Sequence, residues 1–176
     1  AARPDDPAAQ GWLAAGLMAA GKFDEAADTA HKATAMPNAG WDTWLGLAYV
    51  DEMRGDWAAA RSDLTHGRDL AQSGISRAFV DEQMAFVDLA QHKYAAAVAD
   101  LDAMARDAAD GQDPNDVVRA NIDLAVVQLA SGKLPEAVKT AKARMADRVA
   151  EVGQEGGEAG LAPMMSLMRR AQAPLA

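Results

Sequence analysis

The sequence predicts an all-α protein, an α-solenoid of about four antiparallel helical hairpins followed by a C-terminal capping helix. The first observation is compositional. Half of the 176 residues are apolar, yet aromatics make up only 5% and the excess is mainly alanine. Alanine is the strongest helix former, whereas strands favour β-branched and aromatic residues. The second observation is a pattern that recurs four times: Gly21-Lys22-Phe23-Asp24-Glu25-Ala26, Gly55-Asp56-Trp57-Ala58-Ala59-Ala60, His92-Lys93-Tyr94-Ala95-Ala96-Ala97 and Gly132-Lys133-Leu134-Pro135-Glu136-Ala137. Each reads turn residue, polar, bulky apolar, two variable, alanine, and the bulky members are 34, 37 and 40 residues apart. The third is a pair ending in alanine, Leu13-Ala14, Leu47-Ala48, Met84-Ala85 and Leu124-Ala125, eight positions before each turn residue.

A helix, a tight turn and an antiparallel helix account for this pattern. Glycine ends the first helix in the left-handed conformation at little steric cost, and His92 stands in the third unit because histidine tolerates positive φ better than most residues. The bulky residue opens the second helix and plugs the hairpin. The alanine one turn later lets the two helices approach. Helices are expected over 8–20, 23–36, 40–54, 56–72, 76–91, 93–109, 114–131 and 134–152. Asp113 before Pro114 marks a helix start, since aspartate caps free amides and proline fits the first turn. The residues that lengthen the later periods are expected in connections near Gln72-Ser73-Gly74 and from Asp107 to Gln112. The run Gly153-Gln154-Glu155-Gly156-Gly157-Glu158 breaks the last helix as a linker. The organisation is therefore a repeat domain over 1–152 and a linker with a helical or disordered segment over 153–176.

These residues resemble tetratricopeptide repeats over roughly residues 8 to 150. The first unit carries the resemblance best, with Leu13-Ala14, Leu17, Gly21, Phe23, Glu25-Ala26, Ala33 and the closing Pro37; the second carries Trp44, Leu47-Ala48, Gly55, Trp57 and Ala60. Leu45-Gly46 and Tyr49 form a competing match two residues out of register, which points to a lengthened first helix in unit two. One family position departs throughout: where a large aromatic is usual, this chain has Leu17, Asp51, Asp88 and Gln128. The resemblance implies a right-handed superhelical stack whose first helices line a concave groove. In that register unit two presents Asp42, Leu45, Tyr49 and Glu52, unit three Phe79, Glu82, Phe86 and Leu89, and unit four Arg119, Ile122, Val126 and Leu129. The lysines and asparagines with which some family members clamp a peptide carboxylate are absent, apart from the single charge of Arg119. An apolar or amphipathic segment with basic residues fits better, through burial and charge complementarity. The candidate partner-binding residues are Tyr49, Glu52, Phe79, Glu82, Phe86, Arg119, Ile122 and Val126. Packing against adjoining helices or against the chain's own C-terminal segment is the competing explanation for their apolar members.

The formal charge of −9 disfavours a nucleic-acid backbone or an anionic bilayer as partner. The longest apolar run, Trp12 to Ala20, is too short to cross a membrane. With no cysteine there is neither a disulfide framework nor a thiolate metal site, and cytoplasm and periplasm suit the composition equally. Residue 1 is alanine, which suggests a fragment of a longer chain or one whose leader has been removed. The alanine-rich, arginine-over-lysine style points to a bacterial genome of high GC content.

No catalytic motif is visible, and neither cofactor nor metal is expected. His31, His66 and His92 fall in three units without a repeated spacing, as surface or turn residues do. The acid pairs Asp24-Glu25, Asp51-Glu52 and Asp81-Glu82 read as solvated charge on exposed helix faces, and Asp113, Asn115 and Asp116 as a helix cap rather than a calcium loop. Trp12, Trp41, Trp44 and Trp57 are expected in the core, with one of Trp41 and Trp44 a candidate for exposure; Trp57→Ala should cost about 3–5 kcal/mol. Met164, Met165 and Met168, with Leu161 and Leu167, form an apolar segment ending in Arg169-Arg170. It is expected to cap the last hairpin, the other readings being a ligand for the protein's own groove and a docking peptide for a second copy. The function expected is that of a non-enzymatic scaffold or adaptor for a protein or peptide partner; the alternative is an accessory repeat module of a larger enzyme or of a secretion or assembly component.

Overall fold

The structure, a computed structural model, describes residues 5–143. Seven helices follow in order: α1 (Pro7–Ala19), α2 (Phe23–Thr34), α3 (Trp41–Arg54), α4 (Trp57–Leu70), α5 (Gly74–Ala90), α6 (Tyr94–Asp110) and α7 (Pro114–Ala130). An eighth, α8, starts at 134 and continues to 143, the last described residue. No strand occurs among the described residues. The linker expected over 153–158 and the segment over 161–170 lie outside them. Consecutive helices pack as hairpins, α1 on α2, α3 on α4 and α5 on α6, and each hairpin leans on the next. Among the described residues no helix is long and apolar enough to cross a membrane.

Local chemistry sets the helix ends. Asp6 accepts hydrogen bonds from the amides of Ala8 and Ala9 ahead of α1, and Asp113 does the same for Asn115 and Asp116 ahead of α7, each with a proline in the first turn. Ser73 and Ser76 form a reciprocal capping box at the start of α5. The four hairpin turns are copies of one motif. Gly21, Gly55, His92 and Gly132 all take positive φ, between 58° and 77°. The residue after each donates its amide to the carbonyl of Leu17, Asp51, Asp88 or Gln128, five positions back, at 2.8–2.9 Å. This is the closing bond of a Schellman turn. His92 meets the backbone demand without being glycine, and its Nδ1 lies 3.1 Å from the Tyr94 hydroxyl.

The repeat alanines carry the packing. Ala14, Ala48, Ala85 and Ala125 on the first helices, and Ala26, Ala60, Ala97 and Ala137 on the second, are all no more than 3% exposed. Larger residues complete three linked clusters: Leu47 and Val50 in the first, Leu64, Val80 and Val87 in the second, Leu101 and Met104 in the third.

Several expectations are corrected. The bulky residues that open the second helices plug the hairpins only in part: Phe23 and Leu134 are each 45% exposed, while Trp57 and Tyr94 are half-buried and pack against the edges of the second and third clusters. With alanine at the crossing the helices approach too closely for a large side chain between them, so it lies over the seam instead. The cost expected for Trp57→Ala in thermal or urea unfolding accordingly falls to about 2 kcal/mol, half that of a fully buried aromatic. Trp12 is not core but 78% exposed. Trp41 and Trp44 are both half-buried; the Trp44 ring lies tilted against His66 with centroids 4.1 Å apart, and Trp41 meets Phe79 edge-on at 6.1 Å. The extra residues of the longer periods sit in helices rather than connections, since α5, α6 and α7 have 17 residues each against 12 to 14 in α1 to α4. For the same reason α3 is not the lengthened helix.

The departure from the family's aromatic position has a structural reason. That position faces a residue eight places after the turn on the second helix, giving Asp51 with Asp63, Asp88 with Asp100, and Gln128 with Thr140, whose hydroxyl donates to the Gln128 amide oxygen at 2.9 Å. A polar contact across the hairpin thus replaces an aromatic one. Arg61 of the preceding hairpin bridges the unit-three pair, with two bonds to Asp100 at 2.6 and 3.0 Å and an approach of 3.5 Å to Asp88. A second bridge joins α4, α5 and α6. Arg68 pairs with Asp81 and lies 2.7 Å from Asp107, which also accepts from Arg77 at 2.8 Å. Asp51, Asp81 and Glu82 are therefore buried, against the expectation of solvated charge, and only Asp24 and Glu25 of the three acid pairs are exposed.

Candidate functional site

The first helices α1, α3, α5 and α7 carry the candidate residues, and small residues decide how their shared face is shaped. Gly11 on α1 and Gly46 on α3 let these two helices cross closely: a Cβ on Gly46 would lie 3.6 Å from the Gly11 Cα. In the register that places Tyr49 and Phe79, unit one offers Ala8, Gly11, Ala15 and then Met18, and the first three fill little space. A cavity of about 360 Å³ results, lined by these three residues, by Asp42, Leu45, Gly46 and Tyr49 of α3, by Phe79 of α5, and by Trp12 and Trp41. The edge contact of Trp41 with Phe79 separates it from a second cavity of about 490 Å³, whose lining includes Leu70, Ser73 and Ile75.

Beyond Tyr49 the face turns acidic. Glu82, 6% exposed, pairs with Arg119 at 2.5 Å, and Arg119 Nη1 lies 3.1 Å from Asp116. Asp123 adjoins Glu82, and Glu52 adjoins Tyr49. One arginine serves three carboxyl groups, Glu82, Asp116 and Asp123, and its Nε and Nη2 make no directed hydrogen bond. Glu52 Oε1 and Asp123 Oδ2 are buried atoms that also lack a hydrogen-bond partner.

Charge states follow from this shortage of cations. Burial pushes the Glu52 carboxyl up to about 7. Glu82 and Asp123 are raised as well, first by burial; Arg119 opposes the rise in both, and their mutual proximity lets them share a proton. Burial, then the Glu52 and Glu82 charges, hold the Tyr49 hydroxyl near 12, so it stays a donor at any physiological pH.

Past the acidic band lies an apolar patch. Phe86, Ile122, Val126 and Leu129 are each 37–40% exposed, too much for residues satisfied by their own hairpins. Of the eight residues singled out from sequence, Tyr49 and Phe79 line the cavity, Glu52, Glu82 and Arg119 form the acidic band, and Phe86, Ile122 and Val126 belong to the patch. Sequence reasoning missed Trp12, Trp41 and the unit-one residues of the cavity, as well as Asp123. Extending the register of the turn residue into unit one would have found Ala8, Gly11 and Ala15, but small residues do not read as a site.

Solved structures give the fold a context. Crystallised TPR-like repeats of a Podosopora anserina kinesin-light-chain-type protein match with a TM-score of 0.68 at 18% identity, covering 96% of this chain and 97% of that one. MamA matches with a TM-score of 0.65 at 16% identity, covering 86% and 84%. A second MamA structure matches at 0.67 and 15%, covering 88% and 79%. No family model and no curated protein matches the chain. At these identities the likeness is one of fold, and the chain has the TPR-like helical-repeat fold.

Proposed function

We propose that this chain is a protein–protein interaction scaffold that holds an apolar or amphipathic segment bearing basic residues, along the face shared by α1, α3, α5 and α7. The observation that carries the reading is the juxtaposition on that face of uncovered carbon and under-neutralised acid. Phe86, Ile122 and Val126 offer apolar area whose burial is worth about 25 cal/mol per Å². Glu52 and Asp123 offer buried acceptor atoms without donors. A donor brought by a partner relieves the desolvation cost that these atoms already bear. Groups of this kind bind a donor-bearing partner.

Affinity capture from the source organism tests the reading. A partner retained by the native chain is expected to be lost, with affinity at least tenfold lower, when Phe86→Ser and Val126→Ser are combined, a change of about 1.4 kcal/mol or more. A control variant on exposed second-helix positions, Lys32→Gln with Asp102→Asn, should retain it. Equal retention by all three proteins would refute the groove as the binding face.

A further inference from the structure

We propose that the cavity beside Trp12 seats one large apolar side chain of the bound segment, and that a lysine or arginine at a fixed spacing from this anchor is held at Glu52. This rests on the groove reading above and gives it a register. The cavity is a property of unit one alone. Units two, three and four place Leu45, Tyr49, Phe79, Phe86, Ile122 and Val126 at the positions where unit one has Gly11, Ala15 and Ala8. The small side chains of unit one thus open room beside Trp12 where the later units carry larger ones, which fixes where an anchor enters.

Trp12 is the second element of the case. It is 78% exposed, the most exposed large apolar residue among those described, yet it borders a hollow walled by Trp41, Leu45, Tyr49 and Phe79. An exposed indole costs free energy that a ligand covering it recovers, and tryptophan and tyrosine dominate the energetic centres of interfaces. The volume of about 360 Å³ lies at the small end of ligand pockets, which run from about 300 to 1,000 Å³, and suits a side chain rather than a folded surface. Apart from Asp42 its lining is almost entirely carbon, so the anchor is apolar.

Charge supplies the third element and the direction. Tyr49 belongs to the cavity and also feels the Glu52 and Glu82 charges, so the seat and the acidic band are contiguous through one residue. Glu82 already has Arg119, whereas Glu52 Oε1 has no donor. A cation adjacent to the anchor meets the unneutralised member first. Anchor then cation is thus the order read from unit one towards unit four.

A positional-scanning library of decapeptides, acetylated and amidated so that no terminal charge contributes, tests this on the full chain. The expected result is selection of a large aliphatic or aromatic residue at one position and of Lys or Arg at a fixed spacing from it. Trp12→Ala should weaken selected peptides at least tenfold and erase the preference for the anchor while leaving that for the cation; Glu52→Gln should do the reverse. Because Trp12 is exposed, its variant should melt like the native chain. Selection of cationic residues without an anchor, or binding insensitive to Trp12→Ala, overturns the seat and leaves the groove standing. Selection of a cation in the seat itself also overturns it. No selection at all overturns the groove together with the seat. Binding that appears only after Met164, Met165 and Met168 are changed to serine would make the chain's own C-terminal segment the occupant and overturn a separate partner.

Discussion

Replacing Arg68 with methionine is expected to destabilise the protein by about 3 kcal/mol at pH 7.5, read by urea unfolding, and by clearly less at pH 5. Arg68 joins three helices. It extends from α4 to Asp81 of α5, which is 1% exposed, and to Asp107 of α6. Methionine keeps much of the stem and its packing but removes the charge, leaving Asp81 buried without a counterion. Removing one partner of a buried pair costs about 3–5 kcal/mol; the lower end applies because a third of the Arg68 side chain faces solvent. Burial already raises Asp81 to about 6 in spite of Arg68, and without the arginine it rises further. At pH 5 the abandoned carboxyl is protonated and the deficit shrinks. Arg77 still serves Asp107, so the damage centres on Asp81. The double variant Arg68→Met with Asp81→Leu is expected to recover most of the loss, because a pair of matched apolar groups leaves nothing uncompensated. A deficit under about 1 kcal/mol at both pH values would show that the bridge contributes no more than a surface ion pair does.

The hairpins were legible in the sequence because their signals are local. A residue with positive φ, a bulky opener and two alanines at fixed offsets depend on backbone geometry within one hairpin, and the described helix ends fall within a few residues of the expected ones. Burial of the large residues was not legible in the same way. Trp12, Phe23 and Trp57 look like core by size, but Trp12 faces the cavity on the first-helix side and Phe23 and Trp57 are only partly covered beside the alanine crossings, and only the packed hairpins reveal this. The inter-hairpin charges were hidden for a different reason. Arg61 and Asp100, or Arg68 and Asp107, stand 39 positions apart, and that separation matches no signal within a unit. The face shared by the first helices divides along the same line. Phe86, Ile122 and Val126 followed from register, whereas the cavity depends on what unit one lacks.

Asparagine in place of Asp63 is expected to stabilise the protein by about 2–3 kcal/mol at pH 7.5 and to leave it unchanged near pH 4. Asp63 of α4 faces Asp51 of α3, which is buried, and burial followed by hydrogen bonding and repulsion from Asp51 pushes Asp63 from an ordinary 3.8 up to about 7. The corresponding pair in unit three, Asp88 with Asp100, receives Arg61 from the hairpin before it. At the equivalent position of α2 stands Ala27, so the unit-two pair has no such bridge. A carboxyl whose folded value is raised binds its proton more tightly in the native state than in the unfolded one, so stability declines as pH climbs from about 4 to 7 and is level beyond. The full shift corresponds to about 4 kcal/mol, reduced by partial exposure of Asp63. Glu52, Asp81, Glu82, Asp88 and Asp123 are raised too and add slope of the same sign, so the informative quantity is the difference between native and Asp63→Asn profiles from pH 4 to 8. That difference should open between pH 4 and 7, and parallel profiles would mean that the Asp63 carboxyl is not raised in the folded protein. The amide that Asp63→Asn introduces can also donate to Asp51, as Thr140 donates to Gln128 in unit four, so the substitution would give unit two the cross-hairpin hydrogen bond that unit four already has.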